Sequence, residues 1–168
     1  NESEIRDVET PVAGTGQCIV DVAFCGICGS DMHAWHGHDE RRIPPLVLGH
    51  EAVGIARNGP LEGARVAINP LISCGSCESC VSGNRHLCAS RELIGMRYPG
   101  GFAEQVMIPQ ANLTRLDDSL SFQSAALAEP LAVAVRTVAL GERGGAKRDS
   151  QTVILGGGAI GLLCVQVM

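Results

Sequence analysis

The sequence predicts a mainly β domain, an antiparallel barrel or sandwich with short helices, followed by the first part of an α/β domain. Three observations predict it. Short runs rich in Val, Ile and Phe are scattered between Gly, Pro and Asn, with no regular alternation of strand and helix. Twenty-one glycines in 168 residues imply many turns, and with aromatics at 3% the core must be filled by Val, Ile, Leu and Ala. Near the end, a Gly-rich run stands between an apolar run and an apolar helix start.

Taken in order, Asn1 to Gly16 is polar and carries Pro11, Gly14 and Gly16, which reads as a loose strand or edge. Cys18 to Phe24 (C-I-V-D-V-A-F) is β-branched and reads as a strand. Cys25 to Asp31 is a glycine-punctuated turn leading into the polar, His-rich stretch His33 to Arg42. Pro44 and Pro45 force extended backbone before Leu46-Val47-Leu48. Glu51 to Ala56, Val66 to Ile68 and Phe102 to Ile108 are further short strands. Asp117, Asp118, Ser119 and Ser121 offer caps for a helical, Ala-rich segment from Phe122 to Leu140. Pro130 interrupts that segment and places Glu129 at a junction between two helices. Gly141 to Ser150 is a charged linker, so residues 1–150 form one domain with linking helices and 151–168 begin the next. There, Thr152 to Leu155 reads as a buried strand running into Gly156, Gly158 and Gly161 and a helix start.

The composition excludes several classes. A formal charge of −5 without a Lys/Arg cluster argues against a nucleic-acid partner. No apolar run approaches the roughly 20 residues that span a bilayer, and no signal segment opens the sequence, so no membrane association and a cytoplasmic location are expected.

Eight cysteines carry the chemistry. Cys74, Cys77, Cys80 and Cys88 follow C-x2-C-x2-C-x7-C, which puts four thiolates in one short loop. Zinc takes four such ligands in a tetrahedron, and with no position left open the site is structural. Two disulfides would be the alternative, and a reducing compartment disfavours them. Cys28, His50 and Glu51 remain as possible ligands, with His33, His36 and His38 near in sequence. A catalytic zinc keeps three protein ligands and one open position, and strand ends converge on a common rim where these residues could meet. Spacing alone leaves open that they are buried fillers or surface groups. Cys25 and Cys28 form C-x-x-C without the βαβ context of a redox pair, so Cys25 is read as a small buried filler. Cys18 and Cys164 lie in apolar runs and are read as core, while His36, His38 and His86 are read as solvent-facing.

The strings G-I-C-G-S-D-M-H (Gly26 to His33), G-H-E-A-V-G (Gly49 to Gly54), the four-cysteine lobe and A-E-P-L-A-V (Ala128 to Val133) stand in the order found in zinc-dependent medium-chain dehydrogenases. From Cys18 to Met168 the sequence resembles that family of alcohol, sorbitol and threonine dehydrogenases. The resemblance implies a GroES-like barrel as catalytic domain and the start of a Rossmann domain, truncated at Met168. It implies two zincs per chain, one catalytic and one structural, and NAD or NADP as cofactor. Cys28 and His50 are then ligands of the catalytic zinc, with Glu51 as an adjacent carboxylate and Glu129 as a further ligand or holder of the metal's water. Ser30 resembles the hydroxyl that takes the alcohol proton, His33 the far end of that relay, and Asp31 a carboxylate that orients His50. Ser30 and Asp31 also suit a helix cap. Gly156, Gly158 and Gly161 resemble the dinucleotide fingerprint, whose backbone N–H groups approach a pyrophosphate.

Two departures from the family stand out. Gly54 to Val66 is short and carries Ala64 where Asp is typical, and Gln105 replaces an aromatic residue. The function expected is hydride transfer between a secondary alcohol or polyol and NAD(P), in a homodimer or homotetramer. Glu129-Pro130-Leu131 points to the polyol branch. A threonine- or simple-alcohol-type dehydrogenase is the second reading, and a non-catalytic zinc-binding module the third. The 168 residues alone are not expected to turn over substrate.

Overall fold

The structure, a computed structural model, describes residues 3–147 and 149–168. The chain divides into two compact units, one ending at Ala126 and the other running Leu127–Met168. The first is built on a five-stranded antiparallel sheet whose strands stand in the order Gln105–Pro109, Gln17–Gly26, Glu51–Ala56, Arg65–Ile68 and Leu113–Arg115.

The long strand β1 (Gln17–Gly26) lies between β2 (Glu51–Ala56) and β6 (Gln105–Pro109). Alternation in β1 sends Cys18 and Val20 fully inward, where they meet Ala52 and Ala56 of β2 and Val106 and Ile108 of β6. Val66 and Ile68 of β3 (Arg65–Ile68) complete the cluster, and Ile94, the residue after the short strand Glu92–Leu93, plugs it. Short Val, Ile and Ala side chains fill this core, as the scarcity of aromatic residues requires. Strand β7 (Leu113–Arg115) closes the sheet beside β3.

The β1–β2 register decides which residues meet at the end of the sheet. It runs from Val20↔Ala56 to Gly26↔Glu51, with a shift between Val22 and Phe24 that leaves Ala23 as an extra residue. Such a bulge bends the strand and re-aims its end. Antiparallel pairing therefore sets the residues after Gly26 beside those before Glu51.

A second sheet pairs β4 (Leu71–Ile72) with β5 (Glu92–Leu93), and the four-cysteine lobe lies in the chain between them. The lobe contains α2 (Glu78–Val81) and a 3₁₀ turn at Arg85–Leu87. Helix α1 (Gly29–Trp35) follows β1, and α3 (Phe122–Ala125) ends the first unit with Ser121 as its N-cap.

In the second unit, α4 (Ala128–Arg143) packs on α5 (Ala159–Val167) through Ala134, Leu163 and Cys164. Pro130 sits in the first turn of α4, where its missing N–H costs nothing.

Several expectations need correction. The opening, residues 3–16, carries no strand, and the Cys25–Asp31 turn gives way to a helix at Gly29. The strand expected from Phe102 starts only at Gln105. The backbone N–H groups of Gly100, Gly101 and Phe102 instead donate to the carbonyls of Val47, Gly49 and Leu48, at 2.8, 2.8 and 2.9 Å. Glu129 is helical: the junction falls at Ala126–Leu127, before α4 begins. The apolar run Thr152–Leu155 forms no ladder; Val153 and Leu155 are 82% and 94% accessible, and Ile154 alone packs against the α4–α5 cluster. A strand needs a neighbour to take its backbone bonds, and among the described residues of this unit there is none.

A Cβ at Gly54 would come within 1.9 Å of the Asp21 carbonyl oxygen across the β1–β2 pair. Gly54→Ala is therefore expected to lower stability by about 1–3 kcal/mol, as overpacking does. Urea unfolding followed by circular dichroism checks this, and an unchanged midpoint would show that the strands can part without cost.

Candidate functional site

Two groups of metal-competent side chains emerge from this fold among the described residues. In the lobe, Cys77 is the N-cap of α2, Cys80 lies within it, and Cys88 follows the 3₁₀ turn. Together with Cys74 they bring four sulfurs within 4.8 Å of one another. The Cys74–Cys80 and Cys77–Cys80 sulfur pairs stand 3.8 and 3.5 Å apart, and all eight cysteines are free thiols. A zinc with Zn–S bonds near 2.3 Å sets its sulfurs about 3.8 Å apart, so this cradle fits that metal. The backbone N–H groups of Ser76 and Cys77 pull the Cys74 thiol down to about 6, toward the thiolate a metal requires.

The second group is Cys28, His50 and Glu51, whose donor atoms also lie within 4.8 Å of one another. Cys28 is the N-cap of α1, two residues beyond β1, and His50 immediately precedes β2. The Gly26↔Glu51 pairing joins these two places. Asp31 ties them further. One of its carboxylate oxygens accepts the Cys28 N–H at 3.0 Å, and the other accepts the Gly49 N–H at 3.4 Å and stands 3.5 Å from His50 Nδ1. Both Asp31 and His50 are buried.

The electrostatics follow from this packing. Asp31 raises His50 to about 9; burial opposes the shift, and Cys28 adds to it. Burial pushes Asp31 upward in turn, but His50 and the Cys28 and Gly49 N–H groups outweigh it and hold the carboxyl below its ordinary value. The 3.5 Å contact does not meet hydrogen-bond geometry, so His50 Nδ1 is buried without a partner. Cys28, His50 and Glu51 together offer a thiol, an imidazole and a carboxylate, the donor set of a zinc site with a position to spare. Cys25 stays outside it: burial lifts its thiol to about 12, which suits a filler and not a redox pair.

Ser30, His33, His38, Asp39 and Arg41 line a cleft of about 450 Å³. Ser30 caps no backbone N–H in the described hydrogen bonds; its hydroxyl oxygen accepts from Arg42 at 3.2 Å. His33, His36 and His38 are exposed, with the rings of His36 and His38 stacked, and none of the three joins a metal group. The sequence reading missed Arg42, a buried guanidinium, and Asp39, its ion-pair partner at 3.1 Å. The signal available was the Arg41-Arg42 pair beside the apolar run from Ile43 to Leu48, but sequence does not say which arginine turns inward.

In the second unit, Glu129 occupies the first turn of α4. Gly158 is the N-cap of α5, and a Cβ at Gly161 would meet the Gly156 carbonyl oxygen at 2.0 Å. The turn thus requires glycine where the dinucleotide fingerprint has one.

Known proteins resemble this chain over most of its length. Residues 14–118 match the model of the alcohol dehydrogenase GroES-like domain. The chain is 34% identical over 175 residues to the starvation-sensing protein RspB of Escherichia coli, covering 100% of this chain and 50% of that protein. It is 35% identical over 160 residues to L-galactonate-5-dehydrogenase of the same species, covering 92% and 46%. The crystal structure of the Escherichia coli alcohol dehydrogenase rspB complexed with NADH superposes with a TM-score of 0.86 at 32% identity, covering 95% of this chain and 48% of that one. The chain spans about half the length of the relatives it matches.

The Asp31–His50 contact makes a pH-dependent prediction. Zinc must displace the His50 proton, so affinity at this site should climb with pH and level off near 9. Asp31→Asn removes the main cause of the raised value. The plateau should then move down toward 6.5, and affinity should fall about 10–100-fold. Chelator competition between neutral and mildly alkaline pH measures both, and an unaltered plateau would exclude Asp31 from the site's electrostatics.

Proposed function

The chain belongs to the zinc-type medium-chain alcohol dehydrogenases through its GroES-like domain, and on that premise we propose that it serves a nicotinamide-dependent oxidoreductase acting on a secondary alcohol or polyol. The observation that carries this reading is the convergence of Cys28, His50 and Glu51, with the buried His50 facing Asp31. A structural knob needs only the four cysteines. A second, heterogeneous donor group is not needed for that purpose.

When bound, zinc would act as a Lewis acid that acidifies the substrate hydroxyl, and the nicotinamide would take up the hydride. The chain's own residues do the rest. Cys28 and His50 hold the metal, Glu51 supplies an adjacent carboxylate, and Asp31 orients the imidazole. Ser30 takes the substrate's proton at Oγ and passes its own to His33, whose exposed ring releases it to water. Glu129 is the proposed further ligand, supported by its place in the Ala128–Val133 motif. Gly156, Gly158 and Gly161 would receive the cofactor's pyrophosphate at the start of α5. The domain division near Ser150 belongs to the same reading. Polyhydroxylated substrates are favoured by Glu129-Pro130-Leu131, and L-galactonate-5-dehydrogenase among the relatives supports them.

The full-length protein should contain two zincs per chain by elemental analysis; a single zinc would support a binding module without catalysis. A panel of sorbitol, galactitol, L-galactonate, L-threonine and ethanol with NAD and NADP reads out activity. Cys28→Ala should abolish turnover, leave one zinc and keep the thermal midpoint, whereas Cys77→Ala should lower that midpoint. Full activity in the Cys28 variant would overturn the assignment.

A further inference from the structure

We propose that Arg42 is a positioning residue for Ser30, fixing how the serine hydroxyl is oriented and therefore which way its proton can move. This rests on the proposed proton path through Ser30 and His33.

The Arg42 side chain is only 1% accessible. Its guanidinium donates from Nε to the Gly95 carbonyl at 2.9 Å, from Nη1 to the Ser30 carbonyl at 2.7 Å and to Asp39 Oδ2 at 3.1 Å, and from Nη2 to Ser30 Oγ at 3.2 Å. Asp39 is gripped from its other side by the fork of Arg41, at 2.8 and 3.0 Å. The arginine is thus held in one orientation by a carboxylate and two carbonyls, independently of the bond it makes to the hydroxyl.

The chemistry of the pair sets the direction. A guanidinium carries five N–H donors, no lone pair and a permanent charge. In the contact with Ser30 it can only donate, so Oγ must accept. That occupies one lone pair of a group with two lone pairs and one hydrogen. Ser30 keeps one acceptor site and one donor, which is what a relay needs: the substrate O–H bond breaks as its proton joins Oγ, and the Ser30 O–H bond breaks as that proton joins a ring-nitrogen lone pair of His33. The Arg42 protons stay in place. Without Arg42 the hydroxyl could turn and donate to a neighbouring carbonyl, leaving the relay open. Ser30 and His33 line the same cleft, while Arg42 approaches the serine from the protein interior.

A purely structural role for Arg42 is the competing account, since its bond to Gly95 joins α1 to the segment after β5. A double-mutant cycle in the full-length, zinc-loaded protein separates the two, using whichever of sorbitol, galactitol, L-galactonate or L-threonine has the highest kcat/KM. Ser30→Ala should lower kcat about 100-fold or more. Arg42→Gln should lower kcat at least about tenfold with little change in KM. Adding Arg42→Gln to Ser30→Ala should change kcat by less than about twofold, because the group Arg42 orients is already gone. Hydrogen exchange of the α1 amides and zinc content should match the parent protein in Arg42→Lys, which keeps a donor and loses the fork. If Arg42→Gln does not fold, the same cycle with Arg42→Lys decides. Additive losses, or a loosened α1 in Arg42→Lys, would overturn the positioning role while sparing the proton path. Undiminished kcat in Ser30→Ala would sink the proton path and this inference with it.

Discussion

The antiparallel pairing of β1 with β2 is the constraint on which the site depends. Cys28 and His50 are far apart in the chain, and closing such a loop has an entropic cost that no single metal contact would offset before folding. The ladder ending at Gly26↔Glu51 bears that cost with backbone bonds and core burial, and the nearness of Cys28 and His50 is its by-product. The bulge at Ala23 turns the last residues of β1, and the Gly100–Phe102 backbone fastens Val47–Gly49 from the opposite side. His50 is thereby held by elements that fold for other reasons.

The two metal groups contrast in how they are made. The lobe is local: its four sulfurs come from one loop closed by a pair of two-residue strands, and a metal there would neutralise the thiolates. The other group is non-local, with a buried imidazole facing a carboxylate that is itself fixed by two backbone N–H groups. The first arrangement suits an ion that stabilises a fold; the second suits an ion that is presented to something else. The donor sets agree, since four like thiolates close a tetrahedron and a mixed set of three leaves it open.

Much of this was legible in the sequence, for identifiable reasons. Strands β2 and β3 were readable because β-branched runs between glycines have little alternative. The cysteine lobe was readable because its ligands are neighbours in the chain. Elements whose bonding is decided elsewhere were not readable. Gly100 to Phe102 looks like the start of a strand until its N–H groups are seen to belong to the Val47–Gly49 backbone. Thr152–Leu155 has strand composition but no ladder partner in its unit. Ser30 and Asp31 suited a cap of α1, but the cap fell on Cys28, because Asp31 reaches back to the Cys28 N–H and Ser30 is bonded to Arg42.

Among the described residues, the buried polar or charged ones are Asp31, Arg42, His50 and Asn112, and three of these four surround the segment from Cys28 to Asp31. Buried ion pairs are weak sources of stability, because desolvation cancels most of their attraction and apolar replacements often do as well. Asn112 illustrates the ordinary use of a buried polar group, its amide donating to the Asn69 and Leu71 carbonyls that turn the chain. The other three do more than close backbone bonds: one faces a metal-competent imidazole, one is that imidazole, and one holds a hydroxyl at a cleft. Asp31 and Arg42 also close backbone bonds of the fold, so the residues that shape the Cys28–Asp31 segment are the same ones that the proposed site would use.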